Sequence, residues 1–268
     1  IGLSSGLILI RAMPKDEYAI YGIVLSAFSL INVGADLGLS GAMGYFWRTY
    51  KQDDDMIGQR LREILDTRRL MFIISSGVGA LYLISSAYRM SVDIMYILIL
   101  FILVILSSYI QIDYSIKLLL IRLRAEFRLS YFCEAISATT RLVVAVLMFA
   151  MGVSTAVIAV AGALLGIALA SRYATSIGDV AVPKVVPNIQ AKRDVRRFLL
   201  NSAFGTVSGM FAEPFIFWIS TGRVRVVDLA VVFAASRVGQ IFSILSNFII
   251  IVLGPKLIAQ NNNVRFAS

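Results

Sequence analysis

Apolar residues along this chain come in blocks of about 20, with the charged residues squeezed between the blocks. Blocks of that length match the thickness of a bilayer's hydrocarbon core when coiled as helix. Reading from charge to charge predicts eight spans: a partial first one over Ile1 to Ile10, then Tyr18 to Gly41, Leu70 to Tyr88, Asp93 to Ile116, Tyr131 to Met151, Ala156 to Tyr173, Leu199 to Ser220 and Val226 to Leu253. Closed β-barrels also cross membranes, but their strands alternate apolar and polar positions. The run Ile94 to Leu106 shows no alternation, so the reading is all-α, a polytopic bundle of transmembrane helices.

Composition agrees: 59% of the 268 residues are hydrophobic and 15% charged, against roughly 45–50% and 25% in an average soluble domain. The chain starts at Ile1, already inside an apolar segment and without an initiating Met, which reads as a fragment. Its net charge of +9 would point to nucleic acid in a soluble protein; in a polytopic one it reflects basic cytoplasmic loops, and no nucleic acid partner is expected. Counting Lys and Arg alone tests the topology. With the segment after the second span inside, eighteen of the 25 basic residues fall on the cytoplasmic side. Five face out (Arg11, Lys15, Arg89, Arg223, Arg225), and two, Arg141 and Arg237, remain within spans.

Two cytoplasmic connections are long. In Tyr45 to Arg69, Ile57, Leu61 and Ile64 recur at i, i+4, i+7, predicting an amphipathic helix lying at the interface. Ala174 to Arg197 carries Pro183, Pro187 and the run Lys192-Arg193-Asp194-Val195-Arg196-Arg197, and makes the best lobe boundary. The expected organisation is therefore an N-terminal lobe over 1–175, a basic linker over 176–198 and the start of a C-terminal lobe over 199–268. Both basic runs are expected to hold their loops against anionic membrane lipid.

There is no His, and the one cysteine, Cys133, sits in an apolar stretch and reads as core. His-based acid/base chemistry, Cys/His metal sites and intrachain disulfides are thereby excluded, and no catalytic residue, metal or cofactor is expected. The chemistry lies in polar groups inside the spans, which are costly there. Asp36 falls among Gly34, Gly38 and Gly41, glycines that allow close helix approach and weaken the helix around the carboxylate. Glu134, Ser137 and Arg141 share one face of the fifth span; Ser202, Thr206, Gly209 and Glu213 share one face of the seventh, with Pro214 breaking the helix; Arg237, Gln240 and Ser243 lie on neighbouring turns of the eighth. These stripes are expected to face one another across a polar cavity.

Plainer readings stand beside these. Asp113 and Lys117 are spaced for an interfacial i, i+4 pair. Glu134 is one turn from the interface and fits a solvated group or a partner of Arg128 or Arg141. Arg141 and Arg237 are too deep for easy snorkelling; they could neutralise Asp36 or Glu213 as structural pairs, while two mid-membrane arginines on separate helices suit an anionic ligand better.

The segment Leu9-Ile-Arg-Ala-Met-Pro-Lys-Asp-Glu-Tyr-Ala-Ile-Tyr-Gly22, followed by Ala35-Asp-Leu-Gly-Leu39, resembles the opening of Wzx-type polysaccharide flippases of the multidrug/oligosaccharidyl-lipid/polysaccharide exporter superfamily. Val231-Val-Phe-Ala-Ala-Ser-Arg237, with Asn247 and Gly254-Pro-Lys256 after it, is similar to the eighth helix of such transporters. The turn departs from the family pattern in carrying Met13-Pro14 where Gly-Pro is commoner. The resemblance implies twelve or more helices in the whole protein, a two-lobed architecture opening alternately to each face, and the bacterial cytoplasmic membrane. It implies an undecaprenyl-pyrophosphate-linked oligosaccharide as cargo for O-antigen, capsule or exopolysaccharide assembly, with glycan polymerase and glycosyltransferase partners. Arg141, Arg237, Gln240, Ser137 and Thr206 would then bind substrate, and Asp36, Glu213 or Glu134 would carry a coupling H+ or Na+. The alternatives are a cation-coupled drug antiporter of the same superfamily, which wants acids lining its cavity, and a membrane glycan polymerase or ligase.

Overall fold

The computed structural model describes residues 2–50, 53–177, 186–210, 219–220, 224–225 and 228–236. They form eight helices in chain order and no strand: α1 Gly2–Ala12, α2 Lys15–Asp36, α3 Leu39–Tyr50, α4 Asp54–Met90, α5 Ile94–Leu123, α6 Phe127–Met151, α7 Ala156–Ile177 and α8 Ile189–Met210. Residues 228–236 include a further helical stretch. By length and composition five helical stretches among the described residues can cross a membrane: Lys15–Tyr50, Asp55–Met90, Ile94–Leu123, Phe127–Met151 and Ala156–Ile177. These coincide with the second to sixth predicted spans. Of the other three, α1 and α8 are described in part, and most of the eighth lies outside the described residues.

The bundle is organised around α2, whose Ala19, Ala27, Ile31 and Ala35 are fully buried against α4, α5 and α7. Small residues let these helices approach closely: Gly34 faces Ser75, and a Cβ on Gly79 would stand 2.6 Å from the Ile31 side chain. At the α6–α7 contact a Cβ on Gly166 would lie 2.8 Å from the backbone oxygen of Ser137. The periphery is as apolar as the core. Leu70, Ile73, Ile74, Leu81, Ile84 and Tyr88 on α4 are exposed, as are Ile94, Leu98, Ile102, Leu106 and Tyr109 on α5. Such unbroken apolar outer faces are what hydrocarbon covers and water does not. Cys133 is fully buried, in the packing role expected of it.

Three boundaries differ from those expected. The second span is not one helix: α2 stops at Asp36, Leu37 and Gly38 take positive φ (39° and 85°), and α3 restarts at Leu39. Gly38 pays no steric penalty there, which is why the break falls where it does. The interfacial helix expected within Tyr45 to Arg69 is instead the end of α3 and the start of α4. The latter runs 37 residues without interruption, about 55 Å, so its first third projects beyond a hydrocarbon core of about 30 Å. Ile57, Leu61 and Ile64 do share a face, but it is buried with Leu39, Met43 and Phe46 in a protein core at the end of the bundle rich in basic residues. Finally, the basic run of the expected linker is helical. Asn188 caps α8 by accepting the Ala191 N–H at 2.7 Å, and the helix continues from there into the seventh predicted span.

Candidate functional site

The acid, hydroxyl and base of α6 lie along one face, yet each meets different surroundings. Ser137 and Ala145, four residues either side of Arg141, are buried, while Arg141 itself is exposed. The guanidinium reaches back along its own helix, its Nε donating to the Ser137 carbonyl at 3.3 Å and a terminal N–H to the Ser137 hydroxyl at 3.4 Å. Among the described residues no carboxylate lies within ion-pair distance of it. Arg141 stands fourteen residues from one end of α6 and ten from the other, about 21 and 15 Å. An arginine at the centre of a spanning helix and facing hydrocarbon costs at least about 2.5–3.5 kcal/mol. Beside it, on α5, Tyr114 is buried with its hydroxyl lacking a partner among the described residues, within electrostatic range of Arg141, Arg122 and Glu134.

Glu134 pairs with Arg122 at the end of α5, not with Arg128 or Arg141 as expected; both side chains are partly exposed, and Arg122 also donates to Ser130 Oγ at 2.9 Å. Because α5 and α6 are joined by a tight turn, the two ends meet there, a proximity that helical spacing within α6 cannot show. The expected Asp113–Lys117 pair forms at 2.5 Å, and Lys117 adds a bond to Thr175 Oγ1 at 2.9 Å.

Asp36 is held on three sides. Its Oδ1 accepts from the Ser40 N–H at 3.2 Å and the Ser40 hydroxyl at 2.7 Å, satisfying a donor left free by the break between α2 and α3. The same oxygen pairs with Arg68 of α4 at 2.6 Å, and Arg68 in turn donates to Ser115 Oγ of α5 at 3.1 Å. Arg68 is 4% exposed, so this is a buried ion pair tying three helices together. Arg237, Gln240 and Glu213 lie outside the described residues, as does the side chain of Thr206. The structure therefore brings Ser137 and Arg141 together, and it separates them from Asp36, which is engaged elsewhere.

Several polar groups escaped the sequence reading. Arg68 and Arg60 count there as loop charges; both are buried. Arg60 pairs with Asp194 of α8 at 2.7 Å and lies over the Tyr50 ring at 4.0 Å. One turn before Asp36, Asn32 of α2 donates to Ser108 Oγ of α5 at 3.2 Å. At the opposite end Glu17, the third residue of α2, accepts from Tyr96 Oη at 2.7 Å and from the N–H of Ala156, the first residue of α7, at 2.8 Å. One carboxylate thus caps one helix N-terminus and fastens two neighbours to it. An acid in a helix's first turn carries a local signal; its remote partners do not.

No family model matches the sequence, and no curated protein matches it. Among solved structures the chain is similar to an inward-facing multidrug resistance MATE family transporter of the MOP superfamily, with a TM-score of 0.67 and 16% identity, over 89% of this chain and 57% of that one. The chain thus spans a little over half the length of that transporter. Over the described residues its fold is an all-helical, multi-span bundle similar to that of the MATE transporter.

Proposed function

We propose that this chain forms the larger part of an ion-coupled, alternating-access exporter that carries an undecaprenyl-pyrophosphate-linked oligosaccharide across the bacterial cytoplasmic membrane, for O-antigen, capsule or exopolysaccharide assembly. The observation that carries this reading is Arg141: a mid-membrane guanidinium, exposed and with no carboxylate paired to it among the described residues. A pyrophosphate drawn through hydrocarbon needs cations on its way, and the forked donors of arginine match phosphate oxygens. In this reading Arg237 supplies the second cation, Ser137, Thr206 and Gln240 meet sugar hydroxyls, and 1–175 and 199–268 belong to two lobes joined through 176–198. Asp36 and Glu134 each have an arginine partner, so the coupling H+ or Na+ is assigned first to Glu213. Glycosyltransferases would build the cargo and a glycan polymerase would receive it.

A drug antiporter is the second reading, favoured by the multidrug description of the similar transporter. An organic cation wants unpaired acids, and the two described candidates are paired. A polymerase or ligase would carry its working residues on a large external loop, whereas the described connections on the side poor in basic residues are as short as Met13–Pro14, Ser91–Asp93 and Gly152–Thr155. The experiment is transport in proteoliposomes offered a labelled undecaprenyl-pyrophosphate oligosaccharide or a cationic dye. Translocation of the glycolipid and not of the dye is expected; the reverse result establishes the antiporter.

A further inference from the structure

The first three turns of α8 carry an outer face that the transport cycle above does not use. Ile189, Arg193, Arg196 and Leu200 recur at i, i+4, i+7, i+11, forming a single line down the helix, with Lys192 and Arg197 flanking it. All six are exposed. The opposite face is docked: Ala191 and Val195 are buried, and Phe198 packs on the rings of Tyr45 and Phe46 at 5.9 and 6.2 Å. The only acid of the run, Asp194, is turned inward to Arg60. That pair fixes the rotation of the helix and removes the one negative charge from the outer face. What remains is four cations, none in an ion pair among the described residues, bracketed by apolar side chains.

This arrangement is unfavourable as it stands. The first turn of α8 holds no acid, and cations close to a helix N-terminus oppose its dipole. No charged residue follows Arg197 in α8, so the exposed Leu200 lies at the start of its uncharged part. Arg196 lies about 6 Å and Arg193 about 10 Å further out along the axis. The headgroup layer is about 5–8 Å deep on each side of the hydrocarbon, within reach of both side chains. Ile189, at the outer end of the line, can fold its side chain back against that layer.

We infer that the outer face of α8, built on Lys192, Arg193, Arg196 and Arg197, binds the phosphate headgroups of anionic phospholipid in the adjacent leaflet. The neutralising charge that the protein withholds by turning Asp194 away is supplied by lipid. Binding there clamps the helix through which the chain passes from the sixth to the seventh predicted span, so membrane composition acts on that joint.

The test uses the protein reconstituted in phosphatidylcholine vesicles doped with photoactivatable phosphatidylglycerol, with adducts mapped by mass spectrometry. Wild type is expected to yield adducts over 186–200. Each cation near an anionic surface contributes about a fivefold gain, so K192Q/R193Q/R196Q/R197Q lowers the apparent affinity read at those peptides by about 600-fold at low salt, with adducts elsewhere unchanged. R193K/R196K/R197K keeps the charge and is expected to keep the adducts, which then fall with rising salt. Equal labelling by photoactivatable phosphatidylcholine, an unchanged yield in the glutamine variant, loss in the lysine variant, or protection of the peptide by a copurifying acidic protein overturns the inference.

Discussion

Replacing Asp36 by Asn keeps the shape of the side chain and removes one charge, which makes it a measure of the buried pair between α2 and α4. The amide oxygen can still accept from the Ser40 N–H and hydroxyl, now at 3.2 and 2.7 Å. What is lost is the countercharge 2.6 Å from an Arg68 guanidinium that is 4% exposed and retains only the neutral Ser115 hydroxyl at 3.1 Å. Stranding a buried charge costs about 3–5 kcal/mol; with two of the three hydrogen bonds preserved, D36N is expected at about 3 kcal/mol. Arg68→Met strands the less buried partner, Asp36, which keeps Ser40, so about 1–2 kcal/mol is expected. The double variant D36N/R68M carries no stranded charge and is expected to be more stable than D36N alone, giving a coupling energy of about 2 kcal/mol. Unfolding free energies in bicelles measure all three. A D36N loss below about 1 kcal/mol, or a double variant no more stable than D36N, would refute the claim that Asp36 is a fixed countercharge. The same double variant asks whether Asp36 also carries the coupling ion, since transport would then stay lost although stability returns.

Three smaller changes test other contacts. Gly166→Ala drives a Cβ to 2.8 Å from the Ser137 carbonyl, backbone that cannot rotate away, and is expected to lower stability by about 1–3 kcal/mol in thermal unfolding; Gly77→Ala on α4, with open space around it, is expected to cost nothing or to stabilise. Tyr96→Phe removes one of two donors to Glu17 at about 1 kcal/mol, and Glu17→Ala, which leaves both Tyr96 and the Ala156 N–H without their acceptor, is expected at about 2 kcal/mol or more. Arg60→Ala releases Asp194 and the Tyr50 stacking contact, so amides 189–198 are expected to exchange hydrogen on the order of 10–100-fold faster, while amides within α2 do not change.

The lipid-facing helices were legible because a bilayer imposes a length and bars charge, and both constraints act residue by residue. Hence α5 to α7 and the second half of α4 fall where the apolar blocks predict, and their exposed faces are largely the apolar ones. Where helices leave the membrane that constraint ends. Ile57, Leu61 and Ile64 have the same periodicity whether they bury against lipid or against Leu39 and Phe46, so the pattern could not distinguish an interfacial helix from the projecting start of α4. The polar groups divide the same way. Local relations such as Asp113–Lys117 and Ser137–Arg141 can be read from spacing. Asp36–Arg68, Arg60–Asp194 and Glu17–Tyr96 join residues on different helices, where only the packing of one helix on another sets the distance. The break at Leu37–Gly38 sits between these cases: glycines around Asp36 signal a weak helix, but the positive φ of Leu37 follows from the return of α3 onto the core.

The central claim is that an unpaired cation at mid-membrane serves an anionic lipid-linked cargo, and Arg141 tests it most directly. Flipping of a labelled undecaprenyl-pyrophosphate oligosaccharide is measured in proteoliposomes for wild type, Arg141→Lys, Arg141→Gln and Arg141→Glu, with matched insertion and unfolding temperature. The account predicts partial activity for Lys, which keeps the charge without the fork, a loss on the order of a hundredfold for Gln, and none for Glu. Wild-type rates in the Gln and Glu variants would contradict it.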